Sequence, residues 1–442
     1  MQDWLKMSAG DLGRAIGAGK IDPVDLTCAY LDAIDVHPAR DRIYARVTHD
    51  RALSEAEAAR SRAKAEQRLS LVDGVPISWK DLFDTAGIVT ESGSALLKGR
   101  TPDEDALVLR NATAMGSVCL GKTHMSELAF SGLGLNPITA TPPCINDDQA
   151  APGGSSSGAG ASVAFDLAVC GIGSDTGGSV RIPAAWNDLV GLKTTSGRIS
   201  LDGVVPLCPE FDTVGPLTRT VEDAALMLAM LEGDQPVDLR GTTLRGRRLG
   251  VLQTSALEDV RPEPLGAFEA AIKRLEAAGA IIEPIEVPEL EEAMTLNAVL
   301  YTAEAYGVWR DVIEANPQAM YEPILERFRA GAGFSGPDYV SAWTRLRAVR
   351  RVWERTCAGY DAILCPTAPN LPPNVKRLNE DREYYVTENL LTLRNTRIGN
   401  LMGLCSLTLP TGVPSCGLSL MGTPNGEEAL LRLGAAAERA LA

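Results

Sequence analysis

From about residue 70 the chain changes texture, and that change limits its fold more than any other feature. Short apolar runs, GVPISW, SVCLGK, LAVCGIG and GVVPL, alternate with glycine- and proline-rich turns. Runs of this length bounded by turn residues read as buried strands with loops at their ends. A strand–helix–strand unit follows over 246–287. RRLGVL is its first strand, Leu265, Phe268, Ile272 and Leu275 give the helix an inward face, Gly279 ends it, and AIIEPIEV is the second strand. YDAILCP, 360–366, reads as a further buried strand. Alternation of this kind predicts an α/β protein, a single large domain with a central mixed β-sheet flanked by helices on both faces.

A helical arm, 1–68, precedes the strands. In SAGDLGRAIGA, 8–18, Ser8 is a cap and Leu12, Ala15 and Ile16 form an apolar stripe. Asp22-Pro23 places a cap before proline at the first helical position, and Leu26, Tyr30 and Ile34 form the buried face that follows. An alanine- and charge-rich segment, 51–68, reads as a third helix. No internal repeat or long low-complexity linker interrupts the chain. The whole of 1–442 therefore reads as one domain: the arm, a core over 70–220, and the rest of the sheet with substrate-side helices and loops over 221–442.

Charge bears on partners. Lys and Arg number 42 against 57 Asp and Glu, a formal net charge of −15. Such a surface repels phosphate backbones and anionic lipid, so neither nucleic acid nor a membrane is an expected partner. No stretch approaches the ~18 uninterrupted apolar residues of a spanning helix. MQDWLKMSAGDLGRA lacks the basic patch and apolar run of a signal peptide. The nine cysteines are scattered without a CxxC pair, which argues against a metal site or a disulfide framework and for a reducing cytoplasm.

Three segments carry chemistry. In GVPISWKDLFDTAG, 74–87, Lys80 sits where an apolar run meets a polar turn. Desolvation lowers a lysine's pKa, and a neutral amine is a base; alone, Lys80 reads better as an ordinary strand-end lysine. PGGSSSGAGAS, 152–162, reads alone as a flexible loop. It lacks the lysine of a phosphate loop, and neither GAGASV nor GIGSDT has the third glycine of a dinucleotide fingerprint. In GSDTGGSVR, 173–181, paired glycines before Ser179 let successive backbone N–H groups converge on one point, as a developing oxyanion requires. A glycine-rich turn with a capping serine is the plainer alternative. Histidine, the usual partner of a nucleophilic serine, occurs only at 37, 49 and 124.

Taken together, GVPISWKD, PGGSSSGAGAS and GIGSDTGGSVRIPAAW…GLKT resemble the amidase signature family, with that family's spacing between the two serine motifs. Weaker likeness runs from the N-terminal helices through GPLTRTVEDAALML to NLMGLCSLTLPTGVPSCGLSLMG. The resemblance implies a serine hydrolase without histidine. Ser179 would be the nucleophile, Ser155 the bridging serine on a cis bond after Gly154, and Lys80 the base. It further implies an oxyanion hole from the backbone of Thr176, Gly177, Gly178 and Ser179. Asp175 and Arg181 would brace the loop, and Ala129, Phe130 and Ser155 would lie against the substrate. No metal or organic cofactor is implied.

Some positions depart from the family's pattern. Ser157 stands for a usual glycine, Trp186-Asn187-Asp188 for an aromatic, a small residue and glycine, and Thr194 for proline. His124 stands where asparagine is frequent and reads as a packed or loop histidine. The segment 296–317 lacks the Arg-Tyr-Asp-Gly-type element of glutamine-using tRNA amidotransferase A subunits. The expected function is hydrolysis of a small-molecule linear carboxamide, with esters or carbamates as further substrates. The alternatives are a non-enzymatic binding descendant and an ammonia-releasing amidotransferase subunit. Specificity is expected in loops over 124–150, 200–212 and 296–345, and the helical arm could serve a homodimer.

Overall fold

The computed structural model describes residues 2–442. Eleven strands form one sheet: β1 (Tyr44–Val47), β2 (Pro76–Lys80), β3 (Val118–Thr123), β4 (Cys170–Ser174), β5 (Val190–Lys193), β6 (Val214–Thr218), β7 (Arg248–Leu252), β8 (Ile281–Ile285), β9 (Ala362–Pro366), β10 (Ser406–Pro410) and β11 (Gly417–Met421). Their spatial order is β1-β3-β2-β4-β6-β5-β10-β11-β9-β7-β8. The trio β3-β2-β4 is parallel, as is β9-β7-β8, and the strands between run antiparallel. The expected mixed sheet is thus observed, and the 246–287 unit is its parallel edge pair. Pro284 is tolerated there because β8 is the outermost strand.

The arm folds as its caps dictate. Ser8 accepts from the Asp11 N–H at 3.0 Å ahead of the helix Ala9–Gly17, and Asp22 from Val24 N–H at 2.8 Å ahead of Pro23–Val36. Leu26, Tyr30 and Ile34 are fully buried, in the same apolar core that reaches Leu441 near the C-terminus. Two expectations are corrected. GVVPL makes no strand: Pro206 has no N–H for a ladder, and the segment holds only a bridge from Val204 to Phe83. Nor is 296–345 a loop region; it is mostly the helices Leu290–Ala315, Glu322–Arg329 and Gly336–Cys357. No helix among the described residues is long and apolar enough to cross a membrane.

Candidate active site

β2 and β4 pair in parallel, with Trp79 opposite Ile172, so their C-terminal ends open on the same edge. Open α/β sheets gather ligands at such strand ends. Lys80 is the last residue of β2, and Ser174 the last of β4. Lys80 is fully buried. Its Nζ donates to Ser155 Oγ at 2.7 Å and to Ser174 Oγ at 2.8 Å. Burial pulls its pKa down to about 7, against the opposing pull of Asp212 and Asp175. Neither carboxylate forms an ion pair with it.

Ser155 lies on the turn before the helix Ser157–Ala164, after a cis Gly154–Ser155 bond. Gly154 admits no side chain, since a Cβ would stand 2.5 Å from the Gly134 nitrogen. Ser179 lies between β4 and the helix Arg181–Trp186. The two serine turns meet where Ser156 N–H donates to the Ser179 carbonyl at 3.2 Å. Ser155 is fully buried; Ser179 reaches the wall of a cavity that Ala129, Phe130, Thr176 and Gly177 also line. Lys80 and Ser155 line no part of this cavity. Ser155, also expected against the substrate, has its hydroxyl on Lys80 Nζ.

The turn carrying Ser179 is wound about one carboxylate. Asp175 accepts from Arg181 Nη2 at 2.9 Å and Nε at 3.0 Å, from Asn400 Nδ2 at 2.9 Å, and from the N–H of Gly178 at 2.8 Å. Both Asp175 and Arg181 are fully buried, and the guanidinium holds the Asp175 carboxyl below the usual carboxylate range despite its burial. Of the expected oxyanion donors, the Gly178 N–H thus already has an acceptor, Asp175. Among the described residues, the N–H groups of Thr176, Gly177 and Ser179 donate to no protein acceptor. Thr176 is fixed in turn by its hydroxyl on Asp212, whose other oxygen takes the N–H groups of Leu207 (2.8 Å) and Cys208 (3.1 Å).

His124 takes no part in these bonds, and burial pushes its pKa down to about 4. Sequence reasoning missed Ser174, although it stands inside the quoted GIGSDTGG. It also missed Asp212, which no motif marks, and Tyr301, Arg327 and Arg397, which complete the cavity wall. Those three come from helices remote in sequence, and only the tertiary fold brings them to Ser179.

The profile of the Amidase family matches residues 25–431. The 2-amino-5-chloromuconic acid deaminase of Comamonas testosteroni is 35% identical over 96% of this chain and 95% of its own length. The glutamyl-tRNA(Gln) amidotransferase A subunit of Anaeromyxobacter dehalogenans is 31% identical over 100% of this chain and 97% of its own. In structure, the native peptide amidase of Stenotrophomonas maltophilia superposes with a TM-score of 0.83 at 29% identity, covering 98% of this chain and 96% of that one. With its profile matched almost end to end and these relatives aligned along their full length, the chain belongs to the amidase signature family.

Proposed function

We propose that this protein hydrolyses the C–N bond of a linear carboxamide, with Ser179 as nucleophile, Ser155 as bridging serine and Lys80 as base. The observation that carries the reading is the fully buried Lys80, which has only hydroxyls for hydrogen-bond partners. A hydroxyl can reverse its bond and donate to the lone pair of a neutral amine; a carbonyl cannot. Lys80 takes the Ser155 proton as Ser155 takes that of Ser179, and Ser179 Oγ attacks the amide carbon. The oxyanion is received by the N–H groups of Thr176, Gly177 and Ser179, each such donor being worth about 3 kcal/mol in hydrolases of this kind. The proton returns through Ser155 to the leaving nitrogen, and water then cleaves the acyl-enzyme. Asp175 and Arg181 hold the turn in shape without touching substrate. Esters and carbamates meet the same attack.

A second reading is favoured by the likeness to amidotransferase A subunits: release of ammonia from glutamine on behalf of partner chains. One panel separates the two. The lone chain is assayed on simple amides, esters, carbamates, glutamine and 2-amino-5-chloromuconic acid, the compound for which the Comamonas relative is named. We expect turnover of simple amides by the lone chain and a loss of at least about 10⁴-fold in Ser179→Ala. Turnover of glutamine alone, and only with added partners, would favour the second reading.

A further inference from the structure

The cavity beside Ser179 holds two arginines that the reaction scheme does not use. Arg327, from the helix Glu322–Arg329, and Arg397, from Arg382–Leu401, line its wall together with Tyr301. The same three residues line a wider cleft that continues outward past Asn297 and Asn389. They therefore stand between the nucleophile and the opening.

Their bonding is unlike that of Arg181, the fully buried arginine at this site. Arg181 has Asp175, Asn400 and the Thr396 carbonyl. Arg397 is only 7% exposed, yet among the described residues its guanidinium has neither a hydrogen-bond acceptor nor a carboxylate within ion-pair distance. Arg327 donates to the Phe130 carbonyl at 3.0 Å and lies over the Phe130 ring at 4.3 Å, also without a carboxylate. The Tyr301 hydroxyl is buried with no partner, and stacking on Phe211 at 4.5 Å fixes its ring. Like charges near each other repel, and Arg397, out of water, loses hydration as well, while Arg327 is half-buried. Burial and Arg327 together bring Arg397 down to about 9, still protonated at neutral pH. A folded protein keeps such a pair where an anion completes it, and the guanidinium fork matches a carboxylate.

We infer that the substrate is the monoamide of a dicarboxylic acid, its free carboxylate held by Arg327, Arg397 and the Tyr301 hydroxyl while its amide lies at Ser179. The same cavity wall offers Phe130, Leu207 and Leu393, which suit a hydrocarbon spacer. Among the described residues no Asp or Glu lines the inner cavity, and Glu326 on the wider cleft is already paired with Arg382, so an ammonium next to that carboxylate finds no free counter-charge. An amino-acid amide such as glutamine is disfavoured for that reason. This inference rests on the amidase reading for the position of the amide.

The test compares ammonia release from succinamate, glutaramate and adipamate with that from the neutral diamides of the same lengths. We expect wild type to favour the monoamide at its best length by about 10²–10³-fold in kcat/KM, the usual span for a charge deprived of its buried partner. Arg397→Met should bring the ratio to within about tenfold of unity and Arg397→Lys should leave it intermediate. Tyr301→Phe, a near-isosteric change, should lower it about tenfold if Arg397→Met does not fold. Glutamine should be cleaved more slowly than glutaramate. Equal rates for monoamide and diamide at every length, a ratio unmoved in these variants, or a preference for glutamine overturns the inference and leaves the amidase reading standing. If wild type cleaves no amide, that reading fails instead. Calorimetric binding of succinate, glutarate or adipate, present in wild type and lost in Arg397→Met, then decides the carboxylate site on its own; no binding at millimolar concentration sinks it.

Discussion

Three lysines are fully buried here, and their partners separate one from the others. Lys122 donates to the Phe83 carbonyl and to Thr90, with Asp81 at 3.5 Å. Lys193 donates to the carbonyls of Thr194 and Leu404. Those acceptors reward a protonated amine, whereas the serines around Lys80 accept or donate with equal ease. The pH profile follows. Lys80 stands near 7 in place of its ordinary 10.5, because desolvation outweighs the attraction of Asp212 and Asp175. With neutral Lys80 as the proposed base, kcat/KM should fall about tenfold per unit below pH 7 and level off above it. Replacing Asp212 by Asn removes one charge that favours the ammonium and should move the inflection to lower pH. A profile measured on a neutral amide under chemistry-limited conditions checks both, and a flat profile from acid to alkaline would remove Lys80 as the base. The sequence marks Lys80 by its place where an apolar run meets a turn. It does not rank Lys80 above Lys122 or Lys193, because partner chemistry is decided by strands distant along the chain.

The element that matters most is the turn from β4 to the helix Arg181–Trp186. Gly178 adopts φ +137, and a Cβ there would lie 2.2 Å from Thr396 Oγ1, a hydroxyl already pinned to the Gly177 carbonyl at 2.7 Å. Gly178→Ala must therefore displace either the turn or the helix Arg382–Leu401. The free N–H groups of Thr176, Gly177 and Ser179 would move with it. We expect kcat to fall about 10²–10³-fold, the effect of losing an oxyanion donor, with a cost of about 1–3 kcal/mol in stability. Gly266→Ala is the matched control, since its helix position faces open space; there the gain in helix propensity should stabilise by about 0.5–1 kcal/mol with turnover unaltered. Turnover and denaturant midpoints of the two variants give the comparison. Much at this scale was legible. Caps at Ser8 and Asp22 and the apolar runs of β2, β3, β4, β7, β8 and β9 are local signals, and local signals survive folding. GVVPL misleads because hydropathy alone ignores the missing N–H of proline. The helices over 290–357 carry apolar stripes of their own, among them Ala342, Leu346, Val349 and Trp353 at helical spacing, so this stretch was legible as helix and a reading of it as loops passes over that period.

At the scale of the whole molecule, the charge pattern and the cavity oppose each other. The chain carries −15 overall, while Arg327 and Arg397 concentrate positive charge beside Ser179. The composition announces the first fact and conceals the second, because two arginines among 42 basic residues leave no trace in a sum. The two fields act over different ranges. At about 0.01 M salt the Debye length is about 30 Å, and an approaching anion feels most of the acidic surface; at 0.15 M it is about 8 Å, and only charges near the mouth count. In the proposed site, buried Arg397 and half-buried Arg327 act at contact, where salt screens little. Added salt should therefore remove the repulsion before it weakens the attraction. For a carboxylate-bearing amide kcat/KM should rise a few-fold between about 0.01 and 0.15 M NaCl, while for the neutral diamide it should stay flat. Initial rates of ammonia release over that range, at fixed pH, make the comparison. A fall for the anionic substrate alone would mean that steering by the mouth already outweighs the net charge at low salt, and would move the dominant field from the surface to the cleft.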